Sequence, residues 1–361
     1  MVKSAYIHIP FCKSKCYYCS FVSYTDCGRK KEYLNALEKE IKYYYEGDML
    51  KTLYLGGGTP SVLDVADFQK LIRQFNLSDS AEVTTELNPD DVDYDYMREL
   101  YDLGINRVSF GCQTFDDSIL KLINRRHSSE QVIKAVESSR LAGFNNISLD
   151  FIYGLPEQNA DMFVDDLKRA VSLEIPHISL YGLTLDKGSY FYENGFPDPD
   201  EDEMADMYLA AIETLTNLGY EHYEISNFAK PDFYSRHNMN YWNNEEYYGF
   251  GVAAHGYKNR VRYGNKTGLE EYILNPSERD TEKFLNDRER LEEEIFLGFR
   301  RMSGINIEEI NSKFNIDFEE KYNDILKKYE GLNLLKRIDG YYRLTPNGVL
   351  VSNTILSEFI D

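Results

Sequence analysis

Basic residues are in short supply. Against 61 Asp and Glu the 361-residue chain sets only 40 Lys and Arg, a formal charge of −21. Repulsion of that size opposes encounters with nucleic acid or an anionic membrane surface. Long apolar runs are missing as well: none approaches the ~18 residues a membrane span needs, so no stable membrane insertion is expected. The first residues, Met1-Val2-Lys3-Ser4-Ala5-Tyr6, lack the apolar stretch and cleavage site of a secretory signal, which points to the cytoplasm. Tryptophan is all but absent, Trp242 standing alone beside 30 tyrosines. Five cysteines are an odd number, unsuited to a disulfide framework and, in a reducing compartment, better suited to metal. What is present, 42% apolar and 28% charged residues, is the make-up of a globular chain and excludes disorder and fibres.

At roughly 150 residues per domain the length allows two domains, or one large barrel with an appendage. From residue 4 to about residue 181 short apolar strands alternate with helical patterns. Strands are expected at residues 5–9, 52–55, 82–87, 107–110, 147–152 and 177–181. Apolar residues at helical spacing lie between them, such as Leu34, Leu37, Ile41 and Tyr44, or Val132, Ile133 and Val136 after the cap residues Ser128-Ser129. Six βα units in a row imply parallel strands with right-handed crossovers, an α/β sheet or barrel whose chemistry gathers at the C-terminal strand ends.

The rhythm then changes. Phe196-Pro197-Asp198-Pro199-Asp200 is a turn-rich break before an acidic amphipathic helix over residues 200–218, and Asn275-Pro276-Ser277 opens a second break. From about residue 288 come three helical patterns and a hairpin at Asp339-Gly340. A last helix starts at Thr345-Pro346, a cap followed by an N1 proline. The expected organisation is an α/β core over 1–195, a bridging region over 196–275 and a small helical, winged-helix-like domain over 276–361. DNA binding by that domain is excluded, since residues 286–361 hold 11 basic and 15 acidic residues.

Cys12-x3-Cys16-x2-Cys19 follows directly on the first strand. Three thiolates on one short loop can hold three irons of a [4Fe-4S] cluster and leave the fourth iron open. A structural zinc site with His8 or Cys27 as fourth ligand is the alternative, although zinc sites bring their ligands in separated pairs. Leu55-Gly56-Gly57-Gly58-Thr59-Pro60 closes the second strand, where glycines permit close approach of a ligand and expose N–H groups. No Lys-Ser/Thr follows, so it is not a Walker loop. Glu86, Gln113 and Asp150 then stand at the ends of the third, fourth and fifth strands. A polar group in an apolar strand costs desolvation unless it has a partner, and three in succession suggest one ligand-binding face.

These residues carry a resemblance. C-x3-C-x2-C after a first strand resembles the radical S-adenosylmethionine (SAM) signature. The wider string Tyr6-x-His8-Ile9-Pro10-Phe11-Cys12-x3-Cys16-x-Tyr18-Cys19 is similar to the oxygen-independent coproporphyrinogen III oxidases and their relatives, the radical SAM haem chaperones. The resemblance implies a partial (β/α)6 barrel over 1–195, a barrel-closing segment and the C-terminal domain. It implies cluster ligation by Cys12, Cys16 and Cys19. SAM contacts would come from Tyr6, Tyr18, Gly57, Gly58, Thr59, Glu86, Gln113, Arg125, Asp150, Gly182 and His255. It also implies an electron donor and reductive cleavage of SAM.

Two departures separate the chain from the oxidases. Cys19-Ser20 is followed by Phe21 where the oxidases have a further cysteine, and with Cys12 so near the start of the sequence no counterpart of the oxidases' arm before the cysteine loop is expected. The third mark, His237-Asn238-Met239-Asn240-Tyr241-Trp242, fits H-N-x-x-Y-W of the chaperone branch. The expected function is therefore haem binding and delivery to haem-requiring proteins, membrane-bound respiratory enzymes among them. His237, Asn238, Tyr241 and Trp242 are the haem candidates, His237 the candidate iron ligand, and Arg236, Arg260 and Arg262 candidate partners of the propionates. Decarboxylation of coproporphyrinogen III and radical SAM methyl transfer are the alternatives.

Overall fold

The computed structural model describes residues 1–360. Six strands stand where the apolar runs predict them: β1 (Ser4–Ile9), β2 (Met49–Gly57), β3 (Asn76–Leu87), β4 (Arg107–Gln113), β5 (Asn146–Tyr153) and β6 (His177–Gly182). They pair in parallel, each with the next. Helices such as Lys30–Tyr44, Ser129–Ala142 and Ala160–Ser172 make the crossovers. Ser128 caps the second of these in a reciprocal box with Gln131, as its position predicts. Three further strands escape the sequence pattern: β7 (Glu221–Glu224), β8 (Asn227–Ala229) and β9 (Tyr248–Phe250). Strand β9 lies parallel to β1 on one edge, while β8 and β7 run antiparallel beyond β6 on the other. The order β7-β8-β6-β5-β4-β3-β2-β1-β9 is open, a partial barrel whose edges do not meet.

Strands in an all-parallel sheet are usually apolar on both faces. These alternate instead. One face, carrying Ile7, Leu53, Val83, Val108, Leu149 and Ile178, is buried beneath the helices. The register aligns Tyr6 with Tyr54, Tyr54 with Thr84 and Thr84 with Arg107 on the other face. Gly111, Asp150 and Ser179 line up in the same way. The concave side is therefore a polar lumen.

Its N-terminal end is plugged by the helix Arg236–Trp242. Ser4, Thr52 and Glu82, one register layer of β1, β2 and β3, take its polar groups. Ser4 Oγ donates to Asn240 Oδ1 (2.8 Å), Thr52 Oγ1 is bonded to His237 Nδ1 (2.8 Å), and Glu82 accepts from two main-chain N–H groups.

The acidic helix spans Glu201–Asn217. A separate antiparallel sheet of His255–Lys258, Val261–Asn265 and Arg279–Phe284 runs across residues 275/276. Beyond it, the helices Asp287–Gly298, Ile307–Phe314 and Asn323–Gly331 pack with the hairpin Leu335–Ile338 and Tyr341–Leu344 around their own apolar core. Each fully buried side chain there, Phe299 or Phe318 for example, contributes about 1.5–3 kcal/mol. Asp339 and Gly340 both have positive φ, 51° and 81°, as a two-residue hairpin turn requires. Helices followed by a wing-like hairpin match the expected winged-helix-like arrangement.

Candidate cofactor-binding site

The chain leaves β1 at Pro10 and returns at Tyr24, where Tyr24 N donates to Pro10 O (2.7 Å) and Cys12 N to Tyr24 O (3.0 Å). The loop between them is pinned from outside: Tyr17 N donates to Ile123 O (3.1 Å) and Asn124 Nδ2 to Lys15 O (2.8 Å). Cys12, Cys16 and Cys19, all unpaired thiols, thereby face a cavity of about 400 Å³ at the C-terminal ends of β1 to β6. Thr59 Oγ1 donates to Cys12 Sγ (3.3 Å) and Arg125 Nη1 to Cys16 Sγ (3.5 Å). Donors aimed at sulfur favour thiolates, whereas burial works the other way, raising Cys12 and pushing Cys19 up to about 11. A positively charged iron centre would offset that burial, so the donor set fits a cluster. Among the described residues no three His, Cys, Asp or Glu side chains converge on the position of a single metal ion.

Gly57, Gly58 and Thr59 form the wall opposite. A Cβ at Gly58 would stand 2.9 Å from the carbonyl oxygens of both Ile9 and Phe11, so only glycine lets β2 approach the cysteine loop this closely. The expectation that this segment offers N–H groups to a ligand is corrected here. Gly57 N donates to Glu86 Oε2 (3.1 Å), Gly58 N to Ile9 O (2.8 Å) and Thr59 N to Phe11 O (2.8 Å). These N–H groups hold the wall together.

Glu86, Gln113 and Asp150 reach the same cavity from β3, β4 and β5. A bulge between Gly111 and Gln113, with Gln113 at φ 68°, redirects that side chain. Glu86 is pushed up to about 7 by burial, opposed by the Tyr54 hydroxyl that donates to it (2.7 Å). Asp150 is raised by burial and accepts from Ser109 Oγ (3.0 Å). Arg125 does not cap its helix. Its guanidinium donates to Cys16 Sγ, Asn88 Oδ1 and Gly111 O, and its Nε has no partner. Burial alone would lower its pKa, but Tyr18 and Cys16 beside it hold it up.

Tyr18 and Gly182 complete the lining, so the structure gathers all but two of the residues expected here. Tyr6 lies deeper in the lumen with its hydroxyl on His8 Nδ1 (3.0 Å). His255 is exposed on the strand His255–Lys258 and does not line the cavity. Sequence reasoning missed Tyr54, Ser109 and Asn88, which hold Glu86, Asp150 and Arg125. The signal available for the first two is strict polar/apolar alternation along the strands.

A second region surrounds His237-Asn238-x-x-Tyr241-Trp242. The His237 ring is 1% exposed, with Nδ1 on Thr52 and Nε2 on Tyr241 Oη (2.8 Å). Burial and the nearby Arg107 lower its pKa to about 3, so the ring is neutral. As folded here both nitrogens are engaged, and neither is presented as an iron ligand. Asn238 lies in the first turn, its N–H capped by Ser235 (3.3 Å). Tyr241 and Trp242 instead line a groove of about 570 Å³ with Tyr247, Leu285, Phe296 and Leu297. Arg262 and Lys283 are its cations, paired with Glu293 and Glu289. Arg236 reaches Ser80 O and Arg260 pairs with Asp287, away from this groove.

Comparison with known proteins follows the same division. Residues 6–170 match the radical SAM superfamily and residues 285–351 the HemN C-terminal domain. A Lactococcus lactis protein named heme chaperone HemW is 38% identical over 368 residues, covering 99% of this chain and 97% of that one. A Bacillus subtilis protein of the same name is 36% identical, covering 99% of each. Among solved structures, coproporphyrinogen III oxidase (HemN) from Escherichia coli superposes with a TM-score of 0.87 at 23% identity, covering 99% of this chain and 90% of that one, a likeness of fold. The chain belongs to the heme chaperone HemW family of radical SAM proteins.

Proposed function

We propose that this chain is a radical SAM haem chaperone that binds haem and hands it to haem-requiring proteins. Near-full-length identity of 38% and 36% to two proteins named heme chaperone carries the reading. Superfamily membership implies a [4Fe-4S] cluster and SAM. Cys12, Cys16 and Cys19 are the residues to hold the cluster, with Thr59 and Arg125 steadying two of the sulfurs. Glu86, Asp150 and Gln113 face the cavity with acceptors suited to the ammonium and ribose hydroxyls of SAM, and Tyr18 and Gly182 close its sides. When bound, the reduced cluster supplies the electron that cleaves SAM. The chain's task is to orient SAM, keep Arg125 charged beside Cys16 and exclude bulk water.

For haem, the aromatic groove at Tyr241 and Trp242 supplies a flat apolar wall, with Arg262 and Lys283 near enough to meet carboxylates. His237 becomes an iron ligand only by giving up Thr52 or Tyr241, so ligation through it requires the plug helix to shift. Recipients, membrane-bound respiratory enzymes among them, and the electron donor belong to the same proposal. No described helix is long and apolar enough to cross a membrane.

The test is a paired assay under reducing, anaerobic conditions. Stoichiometric haem binding with no turnover of coproporphyrinogen III is the expected result. Formation of protoporphyrinogen IX would overturn the proposal and install the oxidase reading.

A further inference from the structure

Rings run in contact through the polar lumen. Tyr6 packs on Tyr54 with centroids 6.0 Å apart, Tyr54 stacks on His237 at 5.0 Å, His237 meets Tyr241 edge-on at 4.9 Å, and Tyr241 meets Tyr247 at 4.6 Å. His8, packed against Gly57 and bonded to Val22 O (2.9 Å), carries the series to the cysteine loop. At the other end Tyr241 and Tyr247 line the groove beside Trp242. The series joins the two cavities through the interior of the sheet.

A second observation concerns protons. From Tyr6 to Tyr241 each phenol of the series is hydrogen-bonded to a base: Tyr6 to His8 Nδ1 (3.0 Å), Tyr54 to Glu86 Oε1 (2.7 Å) and Tyr241 to His237 Nε2 (2.8 Å). Buried phenols off the series differ among themselves: Tyr33 and Tyr220 donate to the main-chain carbonyls of His8 and Ile175, Tyr208 sits between Ile225 O and His222 Nε2, and Tyr272 donates to Glu40 Oε2. A carbonyl satisfies the O–H but cannot carry away its proton. A base at the hydroxyl matters for redox chemistry, because an oxidised phenol is a very strong acid and gives up its electron readily only when the proton leaves with it. Tyr223 is paired with His177 (2.8 Å), Tyr208 with His222 and Tyr272 with Glu40, but their ring contacts run to Tyr234, Tyr153 and Tyr33 and not along the series.

We propose that Tyr54 and Tyr241, with Glu86 and His237 as their proton acceptors, form a one-electron relay that moves an oxidising equivalent from the cysteine cavity to the groove beside Trp242. The proposal rests on the radical chemistry of the superfamily and not on the haem reading. A carbon-centred radical that misses its target takes one electron from the relay and one proton from water, becoming C–H and leaving hydroxide. Tyr54 loses that electron as its phenolic proton passes to Glu86. Tyr241 refills it, and the proton returns from Glu86, while Tyr241 passes its own proton to His237 Nε2. The immediate products are the C–H compound, hydroxide, a neutral phenoxyl at Tyr241 and a short-lived imidazolium at His237, a strong acid in this buried site that yields a proton to the hydroxide as water. Thr52 sets the tautomer: with Nδ1–H donating to its Oγ1, Nε2 is the nitrogen that accepts. The relay empties the cavity of a radical before it attacks the wall.

The test uses the full-length apo chain with Cys12, Cys16 and Cys27 changed to Ser and a ruthenium polypyridyl photo-oxidant on Cys19. Radicals are read by EPR after a flash. The expected result is a phenoxyl signal lost in Tyr241→Phe and cut severalfold in Tyr54→Phe, with Tyr223→Phe unchanged. Both changes on the relay keep the ring, and thermal melting checks the fold. In the labelled chain with every tyrosine in place the phenoxyl should also carry an exchangeable-proton coupling from His237 that disappears in D2O. Signals in Tyr54→Phe and Tyr241→Phe as large as in the labelled chain with every tyrosine in place, or a phenoxyl without that coupling, would overturn the relay. Neither haem nor coproporphyrinogen enters the experiment, so its outcome is independent of the chaperone reading.

Discussion

The main-chain N–H of His237 donates to Oε1 of Glu82 at 3.0 Å, tying together residues 155 positions apart. Arg236 N donates to Oε2 of the same carboxylate at 3.1 Å, so Glu82 serves as the anion at the N-terminus of the plug helix. Glu82 is 4% exposed, and a charge-assisted hydrogen bond in such surroundings contributes about 1.5–3 kcal/mol. Glu82→Ala should therefore cost about 2–4 kcal/mol in urea denaturation, with Glu82→Gln recovering part of it. A loss below about 0.5 kcal/mol would mean that the plug seats itself without this carboxylate.

The cysteine loop gives a sharper chemical expectation. Cys16→Ala removes the sulfur to which Arg125 donates and one of three thiols facing the cavity. Anaerobic reconstitution of that variant should yield no stable iron–sulfur chromophore and no 5′-deoxyadenosine with dithionite and SAM. Cys27→Ala, changing a thiol outside the cavity, should leave both intact. Equal SAM cleavage by Cys16→Ala would sink the cluster assignment.

Proton binding at Glu86 predicts a pH effect on stability. Burial raises this carboxyl from 4.5 to about 7, the Tyr54 hydrogen bond working against it. Between those values the folded chain holds a proton that the unfolded chain releases, so stability falls as pH rises through the window and levels off above it. Glu86→Gln should be stabilised relative to the unsubstituted chain by on the order of 2 kcal/mol more at about pH 7.5 than at about pH 5, allowing for lumen water at the carboxyl. Glu40, pushed up to about 7 by its own burial, keeps a residual slope in the variant. Urea midpoints at both pH values decide it, and parallel curves for the two proteins would contradict the raised pKa.

At the groove, Trp242 and Tyr241 are expected to supply flat contact surface to haem. Trp242→Ala should weaken haem binding roughly tenfold, the loss of about 1–1.5 kcal/mol of aromatic contact, while Trp242→Phe retains most of it. Absorbance titration with haem measures both. An unchanged affinity in Trp242→Ala would move the haem site elsewhere.

The parallel strands were legible because each carries Leu, Ile, Val or Phe at alternating positions between helical patterns, and β1 to β6 fall where those stretches lie. The cysteine loop and Gly57-Gly58 were legible because their spacing is local. What escaped depends on distant partners. Strand β8 has three residues and β9 three, too few for a pattern, and each exists by pairing with an edge of the sheet. His237 reads as an available ligand in a one-dimensional string. Only the fold brings Thr52 and Tyr241 onto its two nitrogens. The polar lumen lay in plain view as period-two alternation, but which face of each strand lines a cavity is decided only by the fold.

The Arg300 guanidinium lies over the Trp242 ring at 4.7 Å, at the seam between the plug helix and the C-terminal helices. Since Trp242 is the chain's sole tryptophan, light absorbed selectively by indole is emitted from that seam and nowhere else. The molecule thus carries its own fluorescent reporter. A cation stacked on the excited ring and a flat quencher arriving in the adjacent groove would each change its emission, so plug movement and ligand arrival can be followed in the unlabelled protein.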